Sequence, residues 1–222
     1  MIKALLFDLD GTLIDTLEDI AESMNCVLEN NSLPVHPVQK YRYLVGGGVK
    51  TLVEKAIPKH IQSNKKIDDL VNEIKNEYNK RWNNKTCLYD GIKEMFDEIN
   101  KLKLKTGIIS NKPDNFTKLC AQKFLPWQNF DIVKGVTDNK IQKPDKKIGE
   151  YLTKKLDLNP DEIILVGDTD VDMKTAKNCN FYSIGVKWGF RDEKELKEAG
   201  ADKVINHPEE LVKIVTNLLK NL

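Results

Sequence analysis

A chain of 222 residues is long enough for one large domain, or for a core domain with a smaller insert. Its 40% hydrophobic and 31% charged residues exclude wholesale disorder, and a net charge of +1 excludes a nucleic-acid or membrane partner held by bulk electrostatics. Four widely spaced cysteines, Cys26, Cys87, Cys120 and Cys179, form no C-x-x-C pair, so they define neither a zinc site nor a disulfide scaffold and fit reduced thiols.

Residues Met1 to Phe7 are apolar only briefly before Asp8, too short a run for a signal peptide or a membrane span. A cytoplasmic protein is expected. Within that run Ala4-Leu5-Leu6-Phe7 reads as a buried strand. From Thr16 to Thr86 the pattern is helical throughout. Thr16 and Asp19 are spaced as a capping box ahead of Leu17, Ile20, Ala21, Met24, Val27 and Leu28. Leu33-Pro34 and His36-Pro37 break the chain, and Gly46-Gly47-Gly48 turns it before Val49, Leu52, Val53 and Ala56. Ile67, Leu70, Val71, Ile74, Tyr78 and Trp82 mark a long second helix.

Beyond that block the apolar runs Thr106–Ile109, Ile163–Val166 and Tyr182–Val186 predict further strands, with Ile132-Val133 and Lys203-Val204-Ile205 as candidates. Ile92, Met95, Phe96, Ile99 and Leu102 share one helical face, and Leu211, Val212, Val215, Leu218 and Leu219 share another. Apolar strands alternating with amphipathic helices predict an α/β fold, a doubly wound parallel sheet covered on both faces. Residues 1–15 with 87–222 are expected to form this core, and residues 16–86 a smaller all-helical domain that caps it.

In an open α/β sheet, ligands collect at the carboxyl ends of the strands. Asp8-Leu9-Asp10-Gly11-Thr12-Leu13 follows the first strand, Ser110-Asn111-Lys112-Pro113 the second, and Gly167-Asp168-Thr169-Asp170-Val171-Asp172 the run ending at Val166. Gln142-Lys143-Pro144-Asp145 stands at the start of an expected helix. Taken singly these are ordinary: D-x-D-G-T makes a turn, Ser110 an N-cap and Lys143 a surface lysine. Together they suit phosphate chemistry. A carboxylate nucleophile at Asp8 needs the phosphoryl charge offset, which Mg2+ on Asp8 and Asp168 and the point charge of Lys143 would supply. Ser110 and the Asn111 N–H, opening a helix with Pro113 in its first turn, would grip phosphoryl oxygens. Asp10 is placed to protonate the leaving group and then deprotonate water.

The four segments resemble the four motifs of the haloacid dehalogenase superfamily, in order, and the helical insert resembles its C1-type cap. Within the superfamily the chain is similar to the phosphoglycolate phosphatase-like branch. The resemblance implies a phosphoric monoester hydrolase acting through an aspartyl-phosphate. Asp8 is then nucleophile and metal ligand, and Asp10 is acid/base while its backbone carbonyl binds metal. Ser110 binds phosphate, Lys143 steadies nucleophile and phosphate, Asp168 binds metal, and Asp172 lies outside the ligand shell or acts through water. Similar caps bring a glycine loop to the substrate, which makes Gly47 a candidate contact. Asp170 matches no catalytic position and is expected in a loop, and Asp15 serves helix capping and the hinge. His36, His60 and His207 share no ligand spacing, and Arg191 of Trp188-Gly189-Phe190-Arg191 is expected in surface packing.

The substrate implied first is 2-phosphoglycolate, a small phosphorylated partner. Pyrophosphatase, nucleotidase, sugar-phosphatase and β-phosphoglucomutase activities stay open. Around Val45 to Lys50 and Arg42 there is no mutase-like arginine pattern, and Asp10 counts against a dehalogenase. A binding protein that kept the fold without catalysis is the reading from another class, and the presence of Asp8, Asp10, Lys143 and Asp168 argues against it. No heptad seam selects between monomer and homodimer.

Overall fold

The structure, a computed structural model, describes residues 1–137 and 141–220. The strands are β1 (Ala4–Phe7), β2 (Ile14–Asp15), β3 (Cys87–Leu88), β4 (Lys105–Pro113), β5 (Ile132–Val136), β6 (Ile163–Gly167), β7 (Tyr182–Val186) and β8 (Lys203–Ile205). The helices are α1 (Leu17–Asn30), α2 (Tyr41–Leu44), α3 (Val49–Ala56), α4 (Asn64–Arg81), α5 (Ile92–Ile99), α6 (Asp114–Phe124), α7 (Lys147–Leu156), α8 (Asp170–Cys179), α9 (Glu193–Glu198) and α10 (Pro208–Lys220). The chain divides into two compact units, Met1–Ile14 with Leu88–Leu222, and Asp15–Cys87.

The first unit holds a six-stranded sheet in the order β5-β4-β1-β6-β7-β8, and every pairing in it is parallel. This is the doubly wound α/β sheet that the alternating pattern predicts. β1 is buried along its length because helices cover both faces. On one face Ala4 and Leu6 pack with Ile163 and Leu165 of β6, Ile148, Leu152 and Leu156 of α7, and Ala176 and Cys179 of α8. On the other, Phe7 meets Phe96 of α5 with ring centroids 5.1 Å apart, and Trp127 and Phe130 set their rings against Phe96.

The order of the strands positions the site. The chain steps from β1 outward through β4 to β5, then returns to β6 on the other side of β1 and continues to β7 and β8. That reversal opens a crevice at the carboxyl ends of the central strands. Register fixes what stands there: Phe7 lies level with Ile108 and with Val166, so the turn after β1 starts beside the later residues of β4, which runs on to Pro113, and beside the end of β6.

In the second unit α1 packs on α4, and α3 also packs on α4. Met24 and Leu28 of α1 and Leu70 and Ile74 of α4 are buried, as the helical spacing predicts. Tyr41, fully buried, donates its hydroxyl to Asn25 Oδ1 at 2.6 Å, and Asn25 also exchanges hydrogen bonds with the His36 backbone. The expected capping box does not form. Thr16 is the N-cap of α1 without a side-chain hydrogen bond, and the Leu17 N–H goes to Asp15 Oδ1 at 3.1 Å. Asp19 is instead buried as the acceptor for the Thr86 N–H (2.9 Å), the Thr86 hydroxyl (2.7 Å) and the Lys85 N–H (3.1 Å). Buried donors elsewhere in the chain outcompete the local cap. Among the described residues no helix is long and apolar enough to cross a membrane.

Replacing Asp19 with Ala strands those donors in a dry environment, at a cost of about 2–3 kcal/mol. The expected result is a lower urea midpoint for Asp19→Ala with Asp19→Asn falling between, and equal midpoints for wild type and Asp19→Ala would refute the account.

Candidate active site

The turn after β1 is tight. The N–H groups of Thr12, Leu13 and Ile14 all converge on the Leu9 carbonyl, and the Gly11 N–H returns to Ile14 O at 2.8 Å. Gly11 has φ +86°, and a Cβ there would come within 2.2 Å of Asp168 Oδ2, so only glycine permits the turn to lie against Asp168. Gly189 closes the other side, where a Cβ would meet the Asp168 side chain and the Gly11 carbonyl at 2.3 Å.

Asp168 follows β6 and is fully buried. The Thr12 hydroxyl donates to its Oδ1 and the Phe190 N–H to its Oδ2, each at 2.9 Å. The Trp188 indole N–H donates to the Thr12 carbonyl at 2.9 Å and ties the loop after β7 to the turn after β1. Burial pushes the Asp168 carboxyl well above the usual carboxylate range, and the charges of Asp172 and Asp8 push the same way. Asp172 sits in the first turn of α8, where its Oδ2 accepts the Thr169 N–H and hydroxyl in a true capping box. The oxygens of Asp8, Asp168 and Asp172 lie within 4.8 Å of one another.

Lys143 crosses this cluster, with Nζ 2.6 Å from Asp172 Oδ1 and 2.8 Å from Asp8 Oδ1. Burial alone would lower its pKa, but Asp172 and Asp8 hold the ammonium firmly charged. Asn111 fixes the lysine's backbone through a reciprocal pair, Nδ2 to Lys143 O and Lys143 N to Oδ1, both 2.9 Å. Burial lifts Asp8 to about 7, against the pull of Lys143, with Asp172 and Asp10 raising it further. Asp8 Oδ1 is buried without a partner in hydrogen-bond geometry. An all-oxygen set with one such atom fits a hard divalent cation.

The expected helix start at Ser110 and Asn111 is corrected. β4 runs on to Pro113 and α6 begins at Asp114, because a proline disfavours helical backbone at the residue before it. Ser110 Oγ accepts the Lys112 N–H at 3.2 Å. Lys112, to which sequence reasoning gave no role, places Nζ 2.9 and 3.1 Å from the two carboxylate oxygens of Asp10. Arg191 is also corrected: it is buried rather than superficial, paired through Nε with Glu195 at 2.9 Å. Asp170 is the first residue of α8 rather than part of a loop, and pairs with Lys174 at 2.6 Å. Gly47 belongs to the second unit, between α2 and α3.

The sheet and these segments are those of a hydrolase class. A profile of the haloacid dehalogenase-like hydrolases matches residues 5–186, and the chain belongs to that family. Within it the chain stands with the phosphoric monoester hydrolases. It is 27% identical over 203 residues to a phosphoglycolate phosphatase of Psychrobacter arcticus, covering 88% of each chain. It is 26% identical to an N-acetylmuramic acid 6-phosphate phosphatase of Pseudomonas aeruginosa, covering 98% of this chain and 96% of that one. Among solved structures, a predicted phosphatase from Clostridium acetobutylicum superposes with a TM-score of 0.88 at 26% identity, covering 98% and 99% of the two chains.

A buried carboxyl raised from the ordinary value of about 4 keeps its proton in the folded protein to about pH 7, while the unfolded chain releases it near pH 4. The resulting loss of stability grows between those values and is complete above pH 7, on the order of a few kcal/mol. In metal-free buffer Asp8→Asn should therefore melt above wild type at pH 8, with the gap narrowing toward pH 5. A gap independent of pH would contradict the burial of Asp8.

Proposed function

We propose that the protein is a magnesium-dependent phosphatase of a small phosphorylated metabolite, with 2-phosphoglycolate the first candidate. The observation that carries this reading is the convergence of Asp8, Lys143, Asp168 and Asp172 at the carboxyl ends of adjacent central strands, with Asp10 and Lys112 beside them. Asp8, the Asp10 carbonyl and Asp168 would hold Mg2+, with Asp172 behind them. The ion, when bound, supplies positive charge that offsets the phosphoryl oxygens and the nucleophile.

In the proposed reaction an Asp8 carboxylate oxygen forms a bond to phosphorus as the bond to the leaving oxygen breaks. Asp10 delivers a proton to that oxygen, releasing an alcohol. Asp10, now a carboxylate, takes a proton from water, whose oxygen attacks the aspartyl-phosphate, frees inorganic phosphate and restores Asp8. Lys143 draws Asp8 toward its ionised form, as the bound ion would, and steadies the phosphoryl group, while Ser110 Oγ and the Asn111 N–H hold its oxygens. In the same reading the helical unit chooses the leaving group, with Gly47 a candidate contact. A cytoplasmic setting accords with four free cysteines. The N-acetylmuramic acid 6-phosphate phosphatases among the relatives make a larger sugar phosphate the second candidate.

An aryl phosphate assay separates these claims from the alternatives. Wild type should turn over only with added magnesium, and Asp8→Asn should lose at least ~10³-fold in kcat, in line with removal of a nucleophile. Metal-independent turnover, or an active Asn variant, would overturn the mechanism.

A further inference from the structure

Resting on the reading of Asp168 as a Mg2+ ligand, we propose that Trp188 is a positioning residue for that ligand, acting through Thr12 to set the affinity for the ion. No step of the proposed reaction uses the indole. Its N–H donates to the Thr12 carbonyl at 2.9 Å, across 176 residues of sequence. The Thr12 hydroxyl in turn donates to Oδ1 of the fully buried Asp168 at 2.9 Å.

Threonine is branched at Cβ and stiff at χ1, so the place of its hydroxyl follows the place of its backbone. Within the turn, the N–H groups of Thr12 and Leu13 share one acceptor, Leu9 O, at 3.3 and 3.0 Å. The indole adds a hold from outside the turn, on the carbonyl of the same threonine. The loop that carries it is anchored where it begins, because the Lys187 N–H donates to Ile205 O of β8 at 3.0 Å. Two residues past Trp188, the Phe190 N–H donates to Asp168 Oδ2 at 2.9 Å. One segment, 188–190, thus aims both oxygens of Asp168, one directly and the other by way of Thr12. The ammonium of Lys143 goes to Asp8 and Asp172, while the donors on Asp168 are the neutral Thr12 hydroxyl and Phe190 N–H. Groups that orient a metal ligand from behind strengthen binding, and their loss typically weakens it by about 10–100-fold.

The test is calorimetric titration of the metal-free protein with Mg2+, for wild type, Trp188→Phe, Thr12→Val, Thr12→Ser and the double variant Trp188→Phe with Thr12→Val. Trp188→Phe should raise Kd at least about threefold and Thr12→Val about tenfold, with Thr12→Ser close to wild type. In the Thr12→Val background, Trp188→Phe should add less than about twofold, because the hydroxyl it places is gone. Independent effects that multiply in the double variant overturn the relay. An indole that only packs would lower the urea midpoint of Trp188→Phe and leave its Kd for Mg2+ unchanged, which also overturns it. Should Thr12→Val fail to fold by circular dichroism, the Kd of Trp188→Phe decides alone. A wild type that binds no Mg2+ removes the metal reading and this inference together, whereas equal Kd in wild type and Trp188→Phe removes this inference only.

Discussion

Lys143 holds its ammonium between Asp172 and Asp8, at 2.6 and 2.8 Å, and the site depends on that bridge. Three carboxylates packed within 4.8 Å in a buried place repel one another and lose their hydration. A single buried cation touching two of them offsets part of both costs. The residual strain is visible in the raised pKa of Asp8 and Asp168. Asn111 matters because it fixes where that cation starts, through two hydrogen bonds to the Lys143 backbone.

Topology explains why these residues meet. The reversal of strand order about β1 leaves an open edge, and the register of β1 with β4 and β6 brings the turn after β1 beside the later residues of β4 and the loop after β6. Asp168 is then aimed by groups from two further places, the Thr12 hydroxyl and the Phe190 N–H. Two glycines, Gly11 and Gly189, let the backbones approach close enough for both. A carboxylate held at both oxygens has little freedom to reorient.

Much of this was legible in the sequence. β1 and β7 have the predicted bounds, because short apolar runs ended by polar residues leave little choice for a strand buried on both faces. The segments with Asp8, Asp10, Ser110, Lys143 and Asp168 were legible because the ends of parallel strands gather at one edge. Lys112 was not: its partner Asp10 lies 102 residues away, and nothing near either residue announces the pair. Asp19 misled for the converse reason, since local spacing matched a capping box while its true donors lie at Lys85 and Thr86. Arg191 looked superficial because a charged residue in a polar loop usually is, and its burial comes from the packing of the loop after β7.

The central strand of the sheet is also its first in the chain. β1 finds its partners at Lys105–Ile108 on one side and Ile163–Val166 on the other, with the whole of Asp15–Cys87 intervening. Ala4-Leu5-Leu6-Phe7 therefore has neither of these strand partners until the chain beyond the helical unit has been made, whereas that unit is built from nearer neighbours. Pairing β1 on both sides closes two long loops, each at an entropic cost that grows slowly with its length. The turn at Asp8 to Leu13, which hangs from that strand, takes its final surroundings only when β6 has docked.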